Sequence, residues 1–355
     1  MTALWHNPIG TDGFEFVEYT APDVAALHTL FEKMGFRAVA RHRAKAVTLY
    51  RQGEINFIVN AEPESHGSRF ARAHGPSACA MAFRVRDAAA AYQALLARGA
   101  TPLHNQVGPM ELNIPAIEGI GGSVIYLVDR YGAHSIYDVD FVATDSAKGF
   151  SHEGAGLTTI DHVTHNVFRG RMDNWSGFYE RLFNFHEIRH FDIEGKLTGL
   201  KSRAMTSPDG KIRIPINESA DDKSQIEEYL HIYHGEGIQH IALAAADIYS
   251  AVETLRARGV SFQETPDTYY ERIDTRLHEH GEDAARMQQD RILIDGAADQ
   301  GLLLQIFTQN AIGPIFFEVI QRKGNEGFGE GNFRALFESI EIDQIRRGVL
   351  RDGAS

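Results

Sequence analysis

The chain has 355 residues, 43% of them hydrophobic, with 35 basic against 48 acidic side chains for a net charge of −13. That is enough apolar material for two cored domains, and an acidic balance without a long basic cluster excludes nucleic acid and anionic membrane surfaces as partners. A single cysteine, Cys79, rules out an intrachain disulfide framework and any multi-thiolate metal site.

The start, MTALWHNPIG, has no basic region leading into an apolar one, and no run of 18 apolar residues follows anywhere. A soluble cytoplasmic protein is expected. The first element is an alternating strand, FEFVEYTAPD (14–23), leading into a helix, VAALHTLFEKMGF (24–36). Short strands with turn signals come next, then a small-residue strand, ACAMAFRV (78–85). The helix RDAAAAYQALLARGATP (86–102) opens on Asp87 as N-cap and ends at Gly99 as C′ residue. The first half is expected to end in two strands, GSVIYLVD (122–129) and HSIYDVDF (134–141). A polar, Gly- and Ser-rich stretch, VATDSAKGFSHEGAG (142–156), then reads as a linker.

Beyond the linker the same order returns. IDHVTHNVF (160–168) leads into WSGFYERLFNF (175–185), and SPDG (207–210) turns between GLKSRAMT and KIRIPIN. The strand IQHIALAA (238–245) precedes ADIYSAVETLRARGVSF (246–262), which superposes on 86–102 without gaps, Asp247 and Gly259 matching Asp87 and Gly99. The halves differ by a modest insertion, placed around 218–236. The second half closes with GLLLQIFT (301–308) and PIFFEVIQ (314–321). The expected fold is α+β: two domains, 1–145 and 157–355, each of tandem βαβββ modules with a curled mixed sheet around a central space.

Within PIFFEVIQ, Glu318 sits on a strand that is apolar on both faces, so an unpaired carboxylate there would be costly. A cation should hold it. In the repeat His162 matches Phe16, His240 matches Ala80, and Glu318 falls opposite Tyr137 or Asp138. Two imidazoles and a carboxylate on strands of one curled sheet are the ligand set of non-haem Fe(II) oxygenases. Zinc also accepts such a set, usually with a helical H-E-x-x-H that is absent here. His165, three residues past His162, falls on the other strand face.

At IDHVTHNV (160–167), RIPINES (213–219), KSQIEEYL (223–230), GIQHIAL (237–243), LLLQIFT (302–308), FFEVIQRKG (316–324) and GFGEGNFRALFESIE (327–341), the chain resembles the 4-hydroxyphenylpyruvate dioxygenase family of the vicinal-oxygen-chelate fold. The resemblance covers nearly the whole sequence. It implies one Fe(2+) per chain on His162, His240 and Glu318. It implies conversion of 4-hydroxyphenylpyruvate and O2 to homogentisate and CO2, in a homodimer or homotetramer whose first domain is a metal-free scaffold. Around the substrate it implies a polar network of Ser202, Asn217, Gln225 and Gln239, with Gln305 among the binding residues and Pro215 shaping the ring pocket. Phe307 and Phe333 would clamp the ring, and Phe316, Phe328 and Asn332 complete the lining.

Two of these have bland readings beside them. Gln225 opens a helix whose Ser224 and Glu227 form a capping box, so it can simply be solvated. Alternation points Gln239 away from the face of His240. The segment 326–350, opening on Gly327, Gly329 and Gly331, is expected to be a lid helix. The rival activities are 4-hydroxymandelate synthase, an extradiol catechol dioxygenase and a non-catalytic binding protein of the same fold.

Overall fold

The computed structural model describes residues 4–332 and 335, except 105–107, 109, 146–153, 195–198, 221, 223, 279 and 298–299. Each half is one sheet built from two βαβββ modules. In the second half the first module supplies strands Leu157–Val167, His186–Glu194, Gly199–Thr206 and Arg213–Ser219. The second supplies Gly237–Ala245, Leu293–Ala297, Gly301–Phe307 and Phe316–Lys323. The opening strands of the two modules pair antiparallel at the centre, and each pairs in parallel with the closing strand of its own module. The remaining strands extend outward antiparallel, so the sheet has an approximate two-fold symmetry about the pair Val163 and Ile241.

The first half repeats this plan, with Thr11–Thr20 and Ser77–Val85 at its centre. Matching registers confirm two of the equivalences. Phe16 faces Ala82 as His162 faces Ala242, and Glu18 faces Ala80 as Thr164 faces His240. The third differs from expectation. Ala82 pairs with Tyr126 where Ala242 pairs with Glu318, so the counterpart of Glu318 is Tyr126 and not Tyr137 or Asp138. HSIYDVDF is not a closing strand: Tyr137–Asp140 is a helical turn, and only Phe141–Ala143 adds an edge strand. The extra length of the second half also lies elsewhere than 218–236. The outer strands of the opening module span 37–60 in the first half but 186–219 in the second.

Local chemistry set these elements. Asp87 and Asp247 accept hydrogen bonds from the amides of Ala90 and Tyr249, and Gly99 and Gly259 take φ of +85° and +84° after the helices. Strand alternation then divides the side chains. Val163, Ile241, Phe317 and Val319 point outward into an apolar core continuous between both halves, where Phe317 meets Tyr19, Phe31 and Phe57. His162, Ala242, Glu318 and Ile320 point the other way, onto the concave face. Removing the outward side chains from water stabilises the fold; the concave face is left for chemistry. The linker stretch falls largely outside the described residues.

Candidate metal centre

His162, Ala242 and Glu318 lie in one row across three adjacent strands, with His240 two residues along the middle one. Ala242, with no side chain beyond Cβ, leaves the floor between the flanking groups open. The three candidate ligand atoms lie within 4.8 Å of one another. His162 Nε2 is 3.1 Å and His240 Nε2 3.5 Å from Glu318 Oε2. All three side chains are buried, and Glu318 Oε1 has no hydrogen-bond partner among the described residues.

The far nitrogen of each ring is tied down. His162 Nδ1 lies 2.8 Å from Asp161 Oδ1, and His240 Nδ1 lies 2.8 Å from Gln239 Oε1. An oxygen acceptor at Nδ1 favours the tautomer whose Nε2 carries a lone pair, the form a metal needs. Asp161 is held in turn by Arg322, through two bonds of 2.8 Å, and by Arg213 at 3.3 Å. Arg322 also donates to the carbonyls of Asn325 and Gly327, at 3.0 and 2.7 Å.

The charges agree with this arrangement. Burial alone would raise the carboxyl of Asp161, but its bonds to Arg322 and His162 hold it well below the usual range. Burial likewise disfavours Glu318 as an anion, and the two imidazoles outweigh it, lowering its pKa. Burial pushes His240 down; for His162, Glu318 and Asp161 overcome burial and push it up. His165 lies on the opposite face, 2.6 Å from the Tyr179 hydroxyl, where burial drops its pKa to about 3. It has no part in the cluster.

Most of the expected pocket residues surround the cluster. Phe316 stacks on His240 at 4.9 Å between centroids, and Phe307 meets both rings edge-on. Phe328 sets its edge against His162 at 5.3 Å. Gln305 and Phe307 oppose Ile320 and Glu318, so both face the concave side. The amide of Gln305 is buried, and neither its nitrogen nor its oxygen is bonded among the described residues. Gly329, at φ +78°, packs against that amide so closely that a Cβ would fall 2.1 Å from its oxygen. Only glycine fits there.

Ser202 faces Asn217 directly across neighbouring strands, and Pro215 is buried two residues before Asn217. Asn332 is buried, its side-chain oxygen accepting from the Tyr269 hydroxyl at 2.6 Å. Gln239 serves His240 rather than pointing into open space. Gln225 is exposed at the start of the helix Gln225–Tyr233 and makes no contact with the cluster, as its capping-box reading allows. The side chain of Phe333 lies outside the described residues.

Sequence reasoning missed Asp161, Arg322 and Ala242. Arg322 was legible, because Glu318, Ile320 and Arg322 alternate onto one face. Asp161 was not: the pairing shifts between Ile160 and His162, and this bulge breaks the alternation that would have sent neighbouring side chains to opposite faces.

A curled sheet of paired modules with this His–His–Glu cluster defines the glyoxalase-type class. Residues 159–275 match the model of the Glyoxalase/Bleomycin resistance protein/Dioxygenase superfamily. Residues 5–142 match the model of the N-terminal part of hydroxyphenylpyruvate dioxygenase. The chain is 62% identical to a 4-hydroxyphenylpyruvate dioxygenase of Pseudomonas aeruginosa, over 97% of this chain and 98% of that one. It is 64% identical to Hemolysin VllY of Vibrio vulnificus, covering 98% of each. Among solved structures, a mutant 4-hydroxymandelate synthase from Streptomyces coelicolor superposes with a TM-score of 0.81 at 25% identity, over 94% of this chain and 99% of that one. The chain belongs to the 4-hydroxyphenylpyruvate dioxygenase family.

Proposed function

We infer that this protein converts 4-hydroxyphenylpyruvate and O2 to homogentisate and CO2, with Fe(II) held by His162, His240 and Glu318. The observation that carries the metal assignment is the buried cluster itself. Two Nε2 atoms and a carboxylate oxygen converge within 4.8 Å, while Glu318 Oε1 stays buried without a partner among the described residues. A buried anion and two aligned imidazoles suit a divalent first-row cation that takes mixed nitrogen and oxygen donors. When bound, iron supplies a Lewis-acid, redox-active centre at which a 2-oxo acid and O2 can meet.

The chain's own residues do the rest. Asp161 and Gln239 fix the two imidazole planes, so the ligand atoms need no reorganisation on binding. Phe307 and Phe316, nearly perpendicular to one another beside His240, give an apolar corner against which an aromatic ring can pack. The orphaned amide of Gln305 is a ready partner for a phenol hydroxyl, since it can both donate and accept. Ser202 and Asn217 offer further polar contacts on the opposite arm of the concave face. Phe328, against His162, keeps water from that side of the pocket. The substrate supplies the reducing electrons as its carboxylate leaves as CO2, so no second organic cofactor is required.

Oxygen uptake with 4-hydroxyphenylpyruvate, together with iron content and mass spectrometry of the product, tests the reading. One iron per chain and homogentisate are expected. Formation of 4-hydroxymandelate, or uptake with catechol alone, would overturn it.

Asp161 gives a test independent of turnover. Asp161→Asn keeps the shape but removes the anion between His162 and Arg322, leaving a buried guanidinium under-paired. Iron affinity, measured by chelator competition, should weaken by about 10- to 100-fold. Unchanged affinity would mean that Asp161 only anchors Arg322.

A further inference from the structure

The first half keeps a cavity on its concave face, of about 480 Å³, in the place where the second half carries the His–His–Glu cluster. The register explains what changed. Phe16, Ala80 and Tyr126 replace the three candidate ligands, and Phe16 and Tyr126 line the space with Ile58 and Phe141. Phe16 and Ala80 carry no donor atom, so the His–His–Glu set is not rebuilt there. Of the polar residues that line it, Glu18 and Asn60 stand on the central strands, while Lys45, Glu62, Arg69 and Glu111 belong to the loops and helix around them. Asn60 occupies the position equivalent to Asn217, because Tyr19 pairs with Val59 as His165 pairs with Ile216. Glu18, 7% exposed, receives a 2.8 Å hydrogen bond from Asn60 and a weaker one from the Cys79 thiol, both on Oε1.

The other oxygen of Glu18 has no partner among the described residues, nor has the hydroxyl of Tyr126. Burial raises both groups above their usual pKa, so the base of the cavity stays uncharged more readily than a surface site would. The charged residues of the lining stand around this base, Lys45 paired with Glu111 at 2.8 Å, and an unionised Glu18 offers an ionic ligand no full counter-charge at the base itself. It suits a group that can donate to one partner and accept from another. The walls favour a ring: Phe16 and Tyr126 are tilted by 47° at 5.6 Å. The volume lies within the range of pockets for small organic molecules.

We propose that the first half holds a second ligand site, for a small uncharged phenol, with its ring against Phe16 and Tyr126 and its hydroxyl on Glu18. The site is separate from the catalytic pocket and does not depend on the metal.

The probe is p-cresol. Crystals of the full-length protein soaked in p-cresol should show the ring beside Phe16 with its oxygen in hydrogen-bond reach of Glu18. Calorimetric titrations are run without oxygen and with 4-hydroxyphenylpyruvate saturating the catalytic pocket. p-Cresol should then bind at least tenfold more tightly than p-xylene, which has the same ring but no hydroxyl. Val47→Trp, which fills the cavity from its neighbouring strand, should weaken p-cresol by at least tenfold. An empty cavity at saturating p-cresol would overturn the proposal, as would equal binding of p-xylene or undiminished binding in Val47→Trp. Should that variant fail to fold, the p-cresol and p-xylene comparison on the unaltered chain decides alone.

Discussion

Replacing Glu318 with alanine should take the protein from one iron per chain to almost none after desalting, and homogentisate formation to background. Glu318 is the only anion among the three candidate ligands, and it lies directly across from Ala242, in the row that also holds His162. Without it, two imidazoles remain on a concave face with nothing to offset the charge of a divalent cation. The fold should persist. The outward side chains of the same strand, Phe317 and Val319, are fully buried in the shared core and are untouched by the change. The metal-free protein also loses a buried carboxylate whose ionised form burial disfavours. His165→Ala is the matched control, removing an imidazole three residues from His162 but on the opposite face, and its iron content should stay at one. Full iron retention in Glu318→Ala would sink the triad.

Ending the chain at Gly327 should leave iron binding nearly intact while homogentisate formation falls at least about a hundredfold. The cut spares every strand of the sheet, as well as Asp161, Arg322 and the carbonyl of Gly327 on which Arg322 closes. It removes Phe328 from His162, Gly329 from the amide of Gln305, and Asn332 from Tyr269 and Arg276. Those contacts draw the described start of the segment over the pocket. Oxygen consumption should exceed product in the truncated protein, because water gains access to the reacting centre. Near wild-type coupling would show that the segment is not a lid.

The repeat and the candidate triad were legible because they rest on signals that survive without tertiary context: capped helices of equal length and two-residue alternation. Both histidine equivalences came out in register with Phe16 and Ala80. The counterpart of Glu318 did not, since alternating apolar runs of similar length compete for the role of closing strand. SVIYLV and SIYDVDF look alike until the pairing of Val124–Val128 with Ser77–Val85 decides between them. Asp161 was hidden by the bulge before His162, where the period-two rule fails. Gln239 is the same case, since the pairing shifts again between Thr164 and His165 and leaves it as the extra residue before His240. Alternation pointed it away from the face of His240, but the bulge breaks that rule, and its side chain reaches His240 Nδ1.

The near two-fold symmetry of the second sheet also decides how many protein donors a metal bound there could receive. Rotation about Val163 and Ile241 exchanges His162 with His240. It carries Glu318, which lies across from Ala242, onto the residue across from Thr164. One step back from the paired His165 and Ile216, that residue is Pro215. A second carboxylate at 215 would make a four-donor cage, symmetric and sealed by protein on both flanks. Proline has no side-chain donor to give, so one flank is closed by Glu318 and the other belongs to whatever the pocket admits. An open flank for substrate and O2 would therefore rest on a single broken symmetry mate, Pro215.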